Sequence, residues 1–191
     1  MPRMKFSTVV TAASLLLPAV PAAAQSGTAS LISGPDIGRR APDFTLPWAS
    51  KDGVGPIEMP YQLRRDQGKT VVIAFLPRAF TRSSVEQLQS FAQHYDSLFG
   101  PEVSVVGITT DPLETQGRFA ARYGVPFRLL SDPAQRVARK YGSNDPRGLG
   151  RRTIYVVGPD GTVKYRNLRF NPADPSQFTK LRTAVRAART G

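Results

Sequence analysis

Residues 75–84 read Phe75-Leu76-Pro77-Arg78-Ala79-Phe80-Thr81-Arg82-Ser83-Ser84, and the segments on either side of them decide the fold. Upstream, Thr70 to Leu76 (TVVIAFL) is a continuous apolar run rich in β-branched residues. Such a run is the mark of a strand buried on both faces. Downstream, Val85, Leu88, Phe91, Tyr95 and Leu98 recur at steps of three and four and predict one amphipathic helix, ended by Gly100-Pro101. The ten residues therefore form a loop that leaves a buried strand and opens a helix.

The same alternation continues along the chain. Val103 to Thr109 predicts a second buried strand, Leu113 to Tyr123 a helix stopped by Gly124, and Phe127 to Leu130 a short strand. Ala134 to Tyr141 predicts a helix stopped by Gly142. Thr153 to Val157 and Thr162 to Arg166 predict two strands joined at Pro159-Asp160-Gly161, because Asp-Gly is a strong hairpin signal. Ser176 to Ala188 predicts a last amphipathic helix. Before the central loop, Gly38 to Pro47 reads as an extended edge segment, held there by Pro42 and Pro47, and Lys51-Asp52-Gly53 as a turn. The sum is an α/β domain over 38–191, a central mixed sheet flanked by helices.

The first 24 residues have a different character. Arg3 and Lys5 precede a short apolar run from Val9 to Val20, and Ala22-Ala23-Ala24 offers a small-residue cleavage site before Gln25. These are the parts of a secretory signal peptide. The run is short for a membrane span and Pro18 breaks it. Periplasmic or secreted localisation follows as an expectation, with residues 25–37 as a flexible, polar lead-in. The chain has no cysteine, so no thiol–disulfide cycle can run within it. Its formal charge is +12, or +10 without residues 1–24, which hold two basic residues and no acid. The basic residues are spread along the chain rather than clustered, which gives no signal for nucleic acid and leaves weak binding to an anionic surface as one expectation.

Several segments, in order, resemble the alkyl hydroperoxide reductase and thiol-specific antioxidant family of peroxiredoxins, in style its bacterioferritin comigratory branch. They are Ala41-Pro42-Asp43-Phe44-Thr45-Leu46-Pro47, the strand Val71 to Phe75, the loop carrying Pro77 and Thr81, Val105 to Thr109 with Asp111, Phe127 to Asp132, and Arg152 to Val157 with Asp160-Gly161. The resemblance implies a thioredoxin-like fold and pairing into homodimers; with no cysteine, one histidine and no clustered carboxylates, no metal or cofactor is expected. It also implies thiol-dependent peroxide reduction, with Pro77 shielding the site, Thr81 hydrogen-bonding peroxide and Arg152 stabilising negative charge. The family's peroxide-attacking cysteine falls on Ser84. Gln87 stands where relatives often carry Glu, and Arg82-Ser83 replaces the usual pair before the cysteine.

Serine at position 84 removes the chemistry. A peroxidatic sulfur must ionise and then pass through a sulfenic acid, and a hydroxyl oxygen does neither near neutral pH. A serine nucleophile needs an adjacent base, and the one histidine, His94, lies ten residues on. Asp111 and Asp132 at strand ends do not make a serine triad by themselves. Gly148-Leu149-Gly150 precedes a strand and is no phosphate loop. The sequence leaves three readings open. One is a degenerate member whose Pro77, Thr81, Ser84 and Arg152 still hold a small oxyanion, carboxylate or peroxide. The second is an active thiol peroxidase whose cysteine was replaced by Ser84. The third is a basic periplasmic binding module. Read as plain structure, Ser84 is a helix N-cap, Arg152 a basic strand end and His94 a solvated helix residue.

Overall fold

The computed structural model describes residues 34–147 and 150–190. The leader over 1–24, most of the lead-in over 25–37 and the pair Gly148-Leu149 lie outside the described residues. In chain order the elements are β1 (Thr45–Leu46), β2 (Trp48–Ser50), β3 (Gly53–Val54), β4 (Tyr61–Gln62), a 3-10 turn (Leu63–Asp66), β5 (Thr70–Phe75), α1 (Arg82–Gln93) and α2 (Tyr95–Leu98). They continue as β6 (Val103–Thr109), α3 (Leu113–Tyr123), β7 (Arg128–Ser131), α4 (Arg136–Lys140), β8 (Thr153–Val157), β9 (Val163–Asn167) and α5 (Pro175–Arg189).

Seven strands form one mixed sheet in the order β3-β2-β7-β6-β5-β8-β9. β5, β6 and β7 run parallel, and β8 returns antiparallel against β5. All six residues of β5 are buried, because both faces of the sheet are covered. On one face Val72 and Ala74 meet Leu88 and Phe91 of α1, Phe119 of α3 and Leu181 and Val185 of α5. On the other, Val71, Ile73 and Phe75 meet Phe44, Tyr61, Val137, Tyr141 and Tyr155. This is the α/β arrangement of a mixed sheet flanked by helices that the periodicity predicts.

Three local expectations need correction. The stripe from Val85 to Leu98 is not one helix. It breaks at His94 (φ −114°, ψ 22°); beyond the break Tyr95 and Phe99, one turn apart, lie 5.3 Å from each other, and Phe99 lies 5.2 Å from Phe91. The helix predicted from Ala134 starts only at Arg136, because Asp132 sets its start. The Asp132 carboxylate accepts the backbone N–H groups of Arg136, Val137 and Ala138 at 2.8–3.0 Å, and Gln135 takes a left-handed conformation (φ +51°) ahead of it. Burial pushes the Asp132 carboxyl up even as those N–H groups pull it down. The short strands β2, β3 and β4 were not anticipated. β2 joins the sheet by pairing Trp48 with Leu130, across a span no local pattern reports.

The last residues of the expected lead-in belong to the domain. Gly34 and Pro35 are buried, Arg166 donates to the Pro35 carbonyl, and its guanidinium sits 2.6 Å from Asp36. A Cβ on Gly34 would fall 2.3 Å from both the Tyr141 carbonyl and the Tyr155 hydroxyl, and its φ is +71°. Gly34→Ala is therefore expected to cost about 2–3 kcal/mol, through a clash and a disfavoured backbone together. Urea unfolding of the two proteins measures it; a change near zero would place residue 34 outside the cooperative unit.

Candidate functional site

β5 delivers the chain to the loop at the end of the sheet. Leu76 N–H still bonds to the Ile108 carbonyl at 2.9 Å, and Pro77, half-buried, then turns the chain away. A side chain across the sheet holds the loop. Asp111, just past β6, accepts the Ala79 N–H at 2.6 Å and the Thr109 hydroxyl at 2.9 Å on the same carboxylate oxygen. Phe80 follows in the left-handed region (φ +56°), uncommon for an aromatic residue. Its ring packs edge-on against Phe119 of α3 at 4.9 Å.

Thr81 caps α1 through its backbone. Its carbonyl accepts the N–H groups of Ser84 and Val85, each at 2.9 Å. The N-cap is thus Thr81, in extended conformation, and not Ser84. Ser84 is the third residue of the helix and 1 % exposed. Thr81 Oγ1–H is shared between Ser84 Oγ at 2.8 Å and the Arg78 carbonyl at 3.1 Å. Thr81 and Ser84 therefore meet through their hydroxyls.

Arg152 enters from the start of β8. Its guanidinium donates to Gln87 Oε1 and to Ser83 Oγ, both at 2.6 Å. Residues 83 and 87 share one face of α1, and position 84 is turned about 100° from 83. The charge thus lies beside the helix start while its hydrogen bonds bypass the Ser84 hydroxyl. Burial lowers the Arg152 pKa, and the charge of Glu86 acts the other way. Both side-chain partners of this cation are neutral, and among the described residues it forms no ion pair. The first turn of α1 also holds no acid. A helix N-terminus and an unneutralised arginine together favour a negative charge. Gln87 Nε2 is buried beside them without a hydrogen-bond partner.

Ser83 and Gln87 are the contacts that reading the sequence missed. The departures at those positions were visible in the sequence, but not their convergence on one arginine. The arrangement offers no activated serine. The Asp111 and Asp132 carboxylates are held by backbone N–H groups. His94 is exposed at the far end of α1, roughly 15 Å along the helix. Removing the loop clamp by Asp111→Ala should leave the Ala79 N–H without its acceptor. Amide hydrogen exchange at Ala79 is expected to speed up about tenfold or more, and unchanged exchange would show that Asp111 does not hold the loop.

Comparison with known proteins gives the context. The AhpC/TSA family profile matches residues 37–166. Chloroplastic peroxiredoxin Q of Sedum lineare is 35% identical over 139 residues, covering 71% of this chain and 70% of its own length. Chloroplastic peroxiredoxin Q of Oryza sativa subsp. japonica is 32% identical over 141 residues, covering 71% of this chain but only 60% of its own length. Among solved structures, peroxidoxin BcpB of Mycobacterium tuberculosis superposes with a TM-score of 0.69 at 27% identity, covering 81% of this chain and 99% of its own.

Proposed function

Because the chain belongs to the AhpC/TSA family, with a thioredoxin-like fold of peroxiredoxin type, we propose that it is an exported member that has lost peroxidase turnover and keeps its pocket as an anion site. One observation carries this reading. The chain has no sulfur nucleophile at position 84 or elsewhere, while Arg152 still lies against the start of α1 with only neutral partners. A thiolate would balance that charge; Ser84 does not. A small carboxylate or oxyanion fits the vacated role, bound and released without reaction. Peroxide can bind there by hydrogen bonding but meets no group that breaks its O–O bond. The leader-like residues 1–24 support export.

The test has two parts. The purified protein with hydrogen peroxide and dithiothreitol should consume peroxide no faster than buffer; faster turnover overturns the loss of catalysis. Acetate titrated at low salt should shift the amide resonances of Arg82 and Ser83, whose N–H groups open the helix. An Arg152→Met variant should lose most of that shift. Equal shifts in both proteins would sink the anion site.

A further inference from the structure

The opposite end of the sheet carries a second basic site, independent of the Ser84 pocket. The five steps of β5 separate Thr70 from Phe75, roughly 17 Å. At the Thr70 end lies a cleft of about 590 Å³, bordered by the starts of β5, β6 and β7 and the last turn of α5. Lys69, Arg128 and Arg189 line it. Among the described residues Lys69 and Arg128 form no ion pair, and the pair of Arg189 is a 3.8 Å contact with Glu102, itself 82% exposed. Arg128 is held in place over the Trp48 ring at 4.6 Å. The other acid in the cleft, Asp66, is engaged: one oxygen accepts from Tyr61 at 2.8 Å and from Ser104 at 2.7 Å. Cations outnumber acids, and the acids are tied or turned to water.

Thr70 points to a ligand. It lines this cleft, is 2% exposed, and its hydroxyl has no hydrogen-bond partner. By the alternation of β5 it faces the α5 side, as Val72 does. An unpaired buried hydroxyl costs about 1–3 kcal/mol. The next five residues of the strand are apolar, and valine would fill the same place without that penalty. We propose that this cleft binds a small phosphate-bearing molecule. Lys69, Arg128 and Arg189 would take its phosphoryl oxygens, and the Thr70 hydroxyl would be satisfied on binding. Two guanidinium groups suit phosphate because each offers paired donors in a planar fork.

Inorganic pyrophosphate is the probe, titrated calorimetrically into the whole protein at low salt. Lys69→Met and Arg189→Met are each expected to weaken binding about tenfold, the scale of a lost charged hydrogen bond. Thr70→Val should weaken it several-fold and yet raise the unfolding midpoint, because the orphan hydroxyl is gone. Arg152→Met should leave it unchanged. Absence of binding at millimolar pyrophosphate overturns the proposal. So does binding that survives Lys69→Met and Arg189→Met but is lost in Arg152→Met, which would place the probe at the Ser84 pocket.

Discussion

With cysteine in place of Ser84, the protein is expected to consume hydrogen peroxide in the presence of dithiothreitol, and the serine protein is expected not to. The step needs only one atom the chain lacks. A thiolate sulfur attacks one peroxide oxygen, the O–O bond breaks, and hydroxide leaves and takes a proton. The resulting sulfenic acid is returned to thiol by dithiothreitol. The surroundings favour the thiolate: the position lies in the first turn of a 12-residue helix, beside a half-buried arginine whose hydrogen-bond partners are both neutral. Such settings bring a cysteine pKa well below the ordinary value of about 8.5. The thiolate fraction at neutral pH should rise from a few per cent to about half or more. A stabilised thiolate means a depressed pKa, so alkylation by iodoacetamide should stay fast to lower pH than for a free thiol. Adding Ser83→Ala should strengthen the effect by freeing one arm of Arg152, and adding Arg152→Met should reverse it. A folded Ser84→Cys protein with an ordinary thiol pKa and no peroxide consumption would show that more than sulfur has been lost.

Phe91→Ala should cause the largest loss of stability. Phe91 is fully buried, 0% exposed, on the inner face of α1. Its ring lies 5.2 Å from Phe99, 6.3 Å from Phe127, 6.3 Å from Phe170 and 6.0 Å from Phe178. It therefore joins α1 to the segment around α5 and to the sheet. Emptying that site should cost about 3–5 kcal/mol, the transfer of the ring plus the cavity it leaves. In a domain of this size the melting midpoint should fall by roughly 10 °C. Urea unfolding should show a lower midpoint with an unchanged slope. A loss under about 1 kcal/mol would mean that the aromatic cluster closes over the gap and is not the tie described. The same change at Phe80, 45% exposed, should cost far less.

Strands β5, β6 and β8 were legible because each is a continuous apolar run, the consequence of burial on both faces. Helices α3 and α5 were legible from their apolar spacing, and Gly124 marked the end of α3 by adopting the left-handed conformation that glycine permits. β2, β3 and β4 were not, since two or three residues have no periodicity and depend on partners such as Leu130 far along the chain. The start of α4 was misplaced for a different, local reason: Asp132, just past β7, accepts the N–H groups of Arg136 and Val137 four and five residues on, with Gln135 in a left-handed conformation between them, and no apolar spacing reports such a cap.

At position 84 the division is plain. The absence of cysteine is a matter of composition, and no fold can supply the missing atom; that much was readable from the sequence alone. So were the buried strand before the loop and the helix after it, because periodicity is local. Where the arginine's charge goes was decided by tertiary structure. Ser83 and Arg152 are 69 positions apart, Ala79 and Asp111 are 32 apart, and hydrogen bonds act over about 3 Å. Only the folded sheet brings β8 and the end of β6 against the loop, and only there does it emerge that Arg152 binds Ser83 and Gln87 while Ser84 turns to Thr81.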